Sequence, residues 1–306
     1  MGSAATACTS EAPCFVGASA RTGVVFSPVA GTAAGAVGLG SVAVALRVGV
    51  IGAGGKMGST VCRAVATDPD LELVAGVDPH HAGLDLQQVT GAEGVDATIA
   101  RDLEGLVHAQ AEVAVDFTHL AAARDNLIWL AEHGIHAVVG TTGFSDEDLD
   151  GYRAAFTSSN CVIAPNFAIG AILMMHMAAL AAPWFETAEI IELHHDEKVD
   201  APSGTAMLTA ERMAEASAEW GEDPTKHEIV DGARGGAGPG GIRVHSVRLR
   251  GLVAHQEVLL GTTGQSLSIR HDSYDRTSFM PGVVLAVKQV PERPGVTLGL
   301  DALLGL

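Results

Sequence analysis

The chain has 306 residues, 47% of them hydrophobic, which is enough for a sizeable core and for one large domain or two smaller ones. Aspartate and glutamate number 36 against 18 lysines and arginines, and the resulting net charge of −18 repels phosphate backbones and anionic lipid, so it argues against nucleic acid and membrane surface as partners. Salt screens that field beyond roughly 8 Å, so a local cluster of His and Lys can still capture a small dianion.

Residues 1–46 differ in kind from the rest. They are rich in Ala, Gly, Ser, Thr and Val, with Glu11 and Arg21 as their only charged side chains, and the apolar stretch 22–46 is interrupted by Gly23, Pro28, Gly31 and Gly35. They are read as a disordered tail or as the product of a start codon assigned too far upstream, in preference to a signal peptide or anchor. The cysteines are Cys8, Cys14, Cys62 and Cys161. No pair has the spacing of a zinc site or a disulfide framework, so a reduced, cytoplasmic protein is expected.

The folded pattern begins at Arg47. Residues 47–52 form a short apolar run ending in glycine, predicted as a buried strand. A helix follows over 56–67, broken by Asp68-Pro69, and then a strand over 71–78. Residues 79–110 carry little periodicity, with a helix expected over 100–110. Strands at 112–118, 136–142 and 161–166 then alternate with helices at 120–133 and 146–157, which predicts a doubly wound parallel sheet. Near Phe167 the pattern changes. Residues 169–182 form an apolar helix stopped by Pro183, too short for a bilayer, whose girth points to burial on more than one side, as at a subunit contact. A strand at 188–193, a helix at 204–220 and a glycine-rich loop at 232–241 follow. Strand-like runs at 242–250, 254–261 and 265–271 have no helix between them and are expected to be antiparallel. A helix over 277–290 closes the chain, with Pro281 in its first turn. The expected fold is α/β: a Rossmann-type parallel-sheet dinucleotide-binding domain, 47–167 plus 276–306, carrying an inserted α+β substrate-binding and oligomerisation domain, 168–275.

Gly52, Ala53, Gly54, Gly55, Lys56, Met57 and Gly58 follow a predicted strand and open a predicted helix. The glycines let the backbone turn tightly and approach a pyrophosphate, and the helix N-terminus offers free N–H groups to it. The spacing departs from strict G-x-G-x-x-G, since Met57 stands where the last glycine would fall; the strand–loop–helix context carries the assignment. Asp78 ends the second strand about 20 residues beyond Gly58, where an acidic side chain bonds the ribose hydroxyls of NAD. Lys56 pulls the other way, toward a 2′-phosphate. NADH is therefore expected to work well and NADPH to be tolerated.

The run from 189 to 206, E-I-I-E-L-H-H-D-E-K-V-D-A-P-S-G-T-A, concentrates the remaining chemistry. His194 and His195 are adjacent, so on a strand they point to opposite faces and do not share one task. One of them is a candidate general acid. Lys198 suits a carboxylate or a developing negative charge. Ser203, Gly204 and Thr205 stand where a helix begins and form a nest for a second carboxylate. Asp200 is read as orienting Lys198 or capping a turn, and Glu189 and Glu192 as facing solvent or a neighbouring strand. Vicinal histidines chelate poorly and no third ligand is suitably spaced, so no metal is expected.

This run resembles the signature of the dihydrodipicolinate reductases, also called 4-hydroxy-tetrahydrodipicolinate reductases, of lysine and diaminopimelate synthesis. Further similar stretches are 52–58, V-D-F-T at 115–118, G-T-T-G at 140–143, A-P-N-F-A-I-G at 164–170, and 271–279. The resemblance runs from Arg47 to the end of the chain. It implies NAD(P)H-dependent reduction of 4-hydroxy-tetrahydrodipicolinate, a small cyclic dicarboxylate, by a homotetramer. It further implies that His194 is the general acid/base, that Lys198 is a proton donor or carboxylate-binding cation, and that His195, Gly204 and Thr205 hold the carboxylates. Residues 52–57, Asp78, Gly140, Thr141, Thr142, Ala164, Pro165, Asn166 and Phe167 would line the cofactor. The rival readings are an amino-acid dehydrogenase of similar architecture, which would not require the 189–206 run, and a non-catalytic NAD(H) sensor. A DNA-binding regulator of that kind would need a basic helix-turn-helix, which the charge opposes.

Overall fold

The computed structural model describes residues 45–306, so the expectation for residues 1–46 lies, its last two positions apart, outside the described residues. The chain opens with alternating strands and helices: β1 (Leu46–Ile51), α1 (Lys56–Thr67), β2 (Leu71–Val77), α2 (Leu86–Thr90), α3 (Glu104–His108), β3 (Val113–Asp116), α4 (Leu120–Glu132), β4 (His136–Val139), α5 (Asp146–Ala155) and β5 (Cys161–Ile163). The breaker at Asp68-Pro69 ends α1 as expected, because a residue before proline is driven out of the helical region, and Asp68 is extended. The second part comprises α6 (Ile169–Ala181), β6 (Thr187–His194), α7 (Gly204–Ala216), β7 (Gly236–Ala237), β8 (Arg243–Arg248), β9 (Ala254–Thr262), β10 (Gln265–Ser273), α8 (Met280–Gln289), β11 (Val296–Leu298) and α9 (Asp301–Leu304).

The first sheet has six parallel strands in the order β11-β5-β4-β3-β1-β2. Both faces are covered. Val113 and Val115 face one hydrophobic cluster, with Val61, Val65 and Val283, while Ala114 between them faces the other, with Leu127, Leu130 and Tyr152. That division explains the near-continuous apolar runs of its strands. The edge strand β11 was not foreseen; it is short, and only its pairing with β5 defines it.

The second sheet has the order β10-β9-β6-β8-β7. The pair β9–β10 is antiparallel as expected. Consecutive strands β8 and β9 do not pair, however, because β6 lies between them, parallel to β8 and antiparallel to β9. A parallel pair needs a crossover, and α7 supplies it. The helix expected over 204–220 ends at Ala216, with Ser217 extended. Beyond it, Gly221 N–H donates to the Glu186 carbonyl at 2.7 Å and Trp220 packs on the core, which draws the chain off the helical path. Within the glycine-rich loop, Gly236 and Ala237 form β7 against β8. No helix among the described residues is long and apolar enough to cross a membrane.

Candidate active site

At the nucleotide loop, Gly52 has φ of +75°, a conformation open to glycine at little cost. Gly55 N–H donates to the Gly52 carbonyl at 2.9 Å, closing the turn. A Cβ on Gly58 would collide with that same carbonyl oxygen, so glycine there lets α1 sit against the loop. No side chain caps α1, which leaves the first-turn amides to a ligand. Asp78, at 6% exposure, follows β2 and accepts hydrogen bonds from Gly54 N–H at 3.0 Å and His80 N–H at 2.9 Å. His81 Nδ1 lies 3.1 Å from it. Burial pushes the Asp78 carboxyl up, but the bonds from His81, His80 and Gly54 outweigh this and hold it below its ordinary value.

A cleft of about 480 Å³ adjoins the loop, bounded by Gly52, Gly55, Asp78, His80, Arg101 and Thr118. Arg101 was missed in the sequence because it lies in the stretch without periodicity. The Asp78 N–H bond to the Ala100 carbonyl, 3.0 Å, brings it beside the cleft. Lys56 is exposed and does not line the cleft, whereas Arg101 does. Ala53 is buried and Met57 packs on the core, so those two offer a ligand backbone atoms. Gly140 packs closely on the Phe117 ring, which in turn meets Phe167 at 5.5 Å. Phe167 and Ala164 are buried and line neither this cleft nor the two cavities around His194, and Thr141 Oγ1 donates to the Thr118 carbonyl at 2.7 Å.

A second cavity, of about 450 Å³, brings Thr142, Pro165 and Asn166 together with His194, Lys198, Ser203, Gly204 and Thr205. Residues far apart in the chain meet here. Asn166 Nδ2 donates to Thr205 Oγ1 at 3.3 Å, linking the end of the first sheet to the start of α7. Ser203 caps α7 by accepting from Ala206 N–H at 3.2 Å. Lys198 Nζ donates to both Asp200 oxygens at 2.7 and 2.9 Å, the orienting role expected of Asp200. His195 is exposed and lines neither this cavity nor the one behind it, so it does not join His194 at the site.

Of the two surroundings expected for Glu192, the neighbouring strand is the one found. The residue is fully buried and turned to Arg248 on β8. Its carboxylate accepts from Arg248 Nη1 and Nη2 at 2.9 and 2.8 Å and from Ser203 N–H at 3.2 Å, and it lies 2.5 Å from His194 Nδ1. Burial raises its pKa, yet the bonds from Arg248, Ser246 and His194 bring it net below the ordinary value. His194 is shifted down, first by burial; Glu192 opposes this, and the Lys198 and Arg248 charges add to it. Glu189 likewise bonds inward, to Arg234 and His245. The alternation of β6 already puts Glu192 and His194 on one face. Arg248 could not be found that way, because it reaches the site through the β6–β8 register, where it stands opposite His194.

Behind the second cavity lies a smaller one of about 220 Å³, shared by Asn166, His194 and Thr205 with His255, His271 and Phe279. His255 is buried, bonded through Nδ1 to Asp272 at 2.7 Å, and accepts from Val253 N–H at Nε2 at 3.2 Å. Arg212 and Asp301 close another side of the main cavity. Neither was singled out in the sequence, since α7 and α9 meet only in the fold.

Residues 46–167 match the family model described as dihydrodipicolinate reductase, N-terminus, and residues 170–304 the one described as dihydrodipicolinate reductase, C-terminus. A 4-hydroxy-tetrahydrodipicolinate reductase of Mycolicibacterium vanbaalenii is 53% identical over 265 residues, covering 85% of this chain and 100% of the relative. One from Nocardia farcinica is 52% identical over 268 residues, covering 85% and 99%. Among solved structures, a dipicolinate-bound dihydrodipicolinate reductase from Paenisporosarcina sp. TG-14 is similar at a TM-score of 0.73 and 40% identity, over 84% of this chain and 99% of that one. An amine dehydrogenase from Mycobacterium smegmatis, at TM-score 0.58 and 16% identity over 82% of this chain and 94% of that one, shares the fold alone.

Proposed function

This chain belongs to the dihydrodipicolinate reductase family, and from that premise we propose that it reduces 4-hydroxy-tetrahydrodipicolinate to tetrahydrodipicolinate with NADH or NADPH, in the diaminopimelate route to L-lysine. The observation that carries this reading is the meeting of His194, Lys198 and the Ser203–Thr205 turn with Thr142 and Asn166 in one cavity of about 450 Å³. A proton donor, a cation and an anion nest are gathered there.

The residues present fit a dinucleotide: a left-handed Gly52, a Gly58 with no room for a Cβ, an uncapped α1 and a buried Asp78. When bound, the nicotinamide would supply a hydride to C4 of the conjugated imine left once the 4-hydroxyl and a C3 hydrogen have departed as water. His194 then gives a proton to C3 of the resulting enamine, and its own ring returns to neutral. Lys198 exchanges part of its contact with Asp200 for a substrate carboxylate and stabilises charge that develops at the reacting centre. The turn at Ser203–Thr205 takes the second carboxylate on backbone N–H groups and hydroxyls. Asp78 would bond the ribose hydroxyls of NADH, and Arg101 would accommodate the 2′-phosphate of NADPH, so both cofactors serve.

The division of labour follows the two sheets: 47–167 with 276–306 for the cofactor, 168–275 for substrate and assembly. A homotetramer is the proposed assembly, supported by Leu173, Met177, Leu180 and Trp184, which α6 and the turn after it leave exposed. The cytoplasm, with its pool of reduced nicotinamide, is the proposed location. The test is spectrophotometric: NADH or NADPH oxidation on addition of freshly made product of the preceding synthase. Failure with both cofactors would sink the assignment, and stabilisation by cofactor alone would then favour a sensor.

A further inference from the structure

We propose that Glu192 is the positioning residue of the proton-transfer site: its buried carboxylate fixes His194 with the proton on Nδ1, so that Nε2 is the nitrogen that exchanges a proton with substrate. This rests on the reading of His194 as the acid.

The argument is one of donors and acceptors. An ionised carboxylate only accepts. Each group on Glu192 whose role is fixed is a donor: the two Arg248 nitrogens at 2.9 and 2.8 Å and the Ser203 N–H at 3.2 Å. The guanidinium of Arg248, bonded at two points, and the Ser203 N–H hold Glu192 ionised; it then has no hydrogen to give, so the short contact to His194 Nδ1, 2.5 Å, carries its hydrogen on nitrogen. The neutral imidazole is therefore the Nδ1–H form, and the imidazolium adds its second proton at Nε2. When Nε2–H is given to substrate carbon, the electron pair of the N–H bond stays on the ring and Nδ1–H remains on Glu192. No second proton acceptor is needed.

Arg248 completes the arrangement. A buried carboxylate without a partner is costly. The two-point contact from Arg248 offsets that cost and also tempers the pull of Glu192 on the imidazolium, which eases proton release. Arg248 Nη2 reaches on to the Asp200 carbonyl at 2.5 Å, and Asp200 holds Lys198. One carboxylate thus ties the proton donor, the start of α7 and the loop carrying the substrate cation into a single frame.

The charged groups that set the titration of His194 are Glu192 on its own strand, Lys198 on the following loop and Arg248 on β8, while Asp200 lines the main cavity with it and His255 and His271 share the smaller one. Among the described residues, only Glu192 bonds the ring. Removing its charge should therefore lower the pH at which the imidazolium deprotonates.

The test uses the full chain labelled with 15N-histidine, His194 being assigned by the signal lost in His194→Ala. In the neutral form the Nδ1 shift should be that of a protonated nitrogen and the Nε2 shift that of a bare one. The opposite tautomer would overturn the proposal without any variant at Glu192. In Glu192→Gln, turnover should fall about 100-fold or more, the KM for NADH should stay within about twofold, and the fall of activity on the alkaline side should begin at lower pH. An unmoved alkaline limb with full turnover would also overturn it. The two readings separate cleanly. If His194→Ala keeps full turnover, His194 is not the acid. If it loses turnover while wild-type His194 carries its proton on Nε2, the acid is right and the role of Glu192 is wrong.

Discussion

The backbone N–H of Gly54 donates to the Asp78 carboxylate at 3.0 Å, so the acid that ends β2 is bonded to the glycine loop that follows β1. Asp78 therefore has two tasks, to hold the loop and to meet the ribose. Asp78→Ala should weaken both cofactors through the loop and NADH further through the lost hydroxyl contacts. A hydrogen bond to a charged group is worth enough that NADH affinity should drop roughly tenfold or more. Fluorescence titration of the two cofactors checks this. A larger loss for NADPH than for NADH would reverse the reading of Asp78.

His194→Ala should reduce turnover by roughly 10²- to 10⁴-fold, the usual contribution of a positioned acid, and leave NADH affinity unchanged. Lys198→Ala should behave differently. Lys198 shares its charge with both oxygens of Asp200, yet it lines the cavity, so its loss should lower turnover and raise the substrate KM together. Steady-state kinetics with varied substrate separates the two patterns. An unchanged KM in the lysine variant would remove Lys198 from the carboxylate.

Gly58→Ala places a methyl where the Gly52 carbonyl oxygen stands, and that oxygen closes the loop by accepting from Gly55. Since the obstacle is backbone, α1 or the loop must shift, at a cost of about 1–3 kcal/mol. Thermal unfolding should show a midpoint several degrees lower, at roughly 2–4 °C per kcal/mol for a chain of this size class, together with weaker cofactor binding. A variant as stable as the parent, with unaltered affinity, would mean that the loop tolerates a side chain there.

What could be read from the sequence was what depends on near neighbours. The bounds of α1 are legible because Gly55 precedes it and Asp68-Pro69 breaks it, both local signals. His194 and Lys198 stand in one short run, and so do the residues of the α7 cap. The sequence was silent where pairing decides position. Arg248 reaches His194 only because β6 lies between β8 and β9, an order that consecutive strand-like runs do not reveal. Arg101 sits in a stretch with little periodicity and is brought to Asp78 by the two backbone bonds that Ala100 makes with Gly76 and Asp78. Glu192 is the instructive case: period-two alternation puts it beside His194, and its charge left solvent or a neighbouring strand open. Buried acids are uncommon unless paired, and the pairing partner was the part out of sight.

Arg212 and Asp301 join α7 to α9 by two bonds, Nη1 to Oδ1 at 2.7 Å and Nη2 to Oδ2 at 3.1 Å, at the edge of the main cavity. The Arg212 guanidinium holds the Asp301 carboxyl below its ordinary value, chiefly by this hydrogen bonding, against a smaller upward push from burial. A carboxylate lowered on folding contributes stability that is fully present above its unfolded value, about 3.9, and is lost as pH falls through the lower folded value. Both side chains are more than a quarter exposed, at 28% and 27%, so solvent screening limits the contribution to about 1 kcal/mol or less. Asp301→Asn should therefore lower the unfolding midpoint by roughly 2–4 °C at most near neutral pH. The gap between variant and parent should hold down to about pH 5, begin to close below about 4, where the unfolded carboxylate takes up its proton, and vanish once pH has fallen through the lower folded value. Paired melting curves across that range check the sign. A gap that widened toward acid would mean that Asp301 stabilises the fold in its protonated form, contrary to the ion pair.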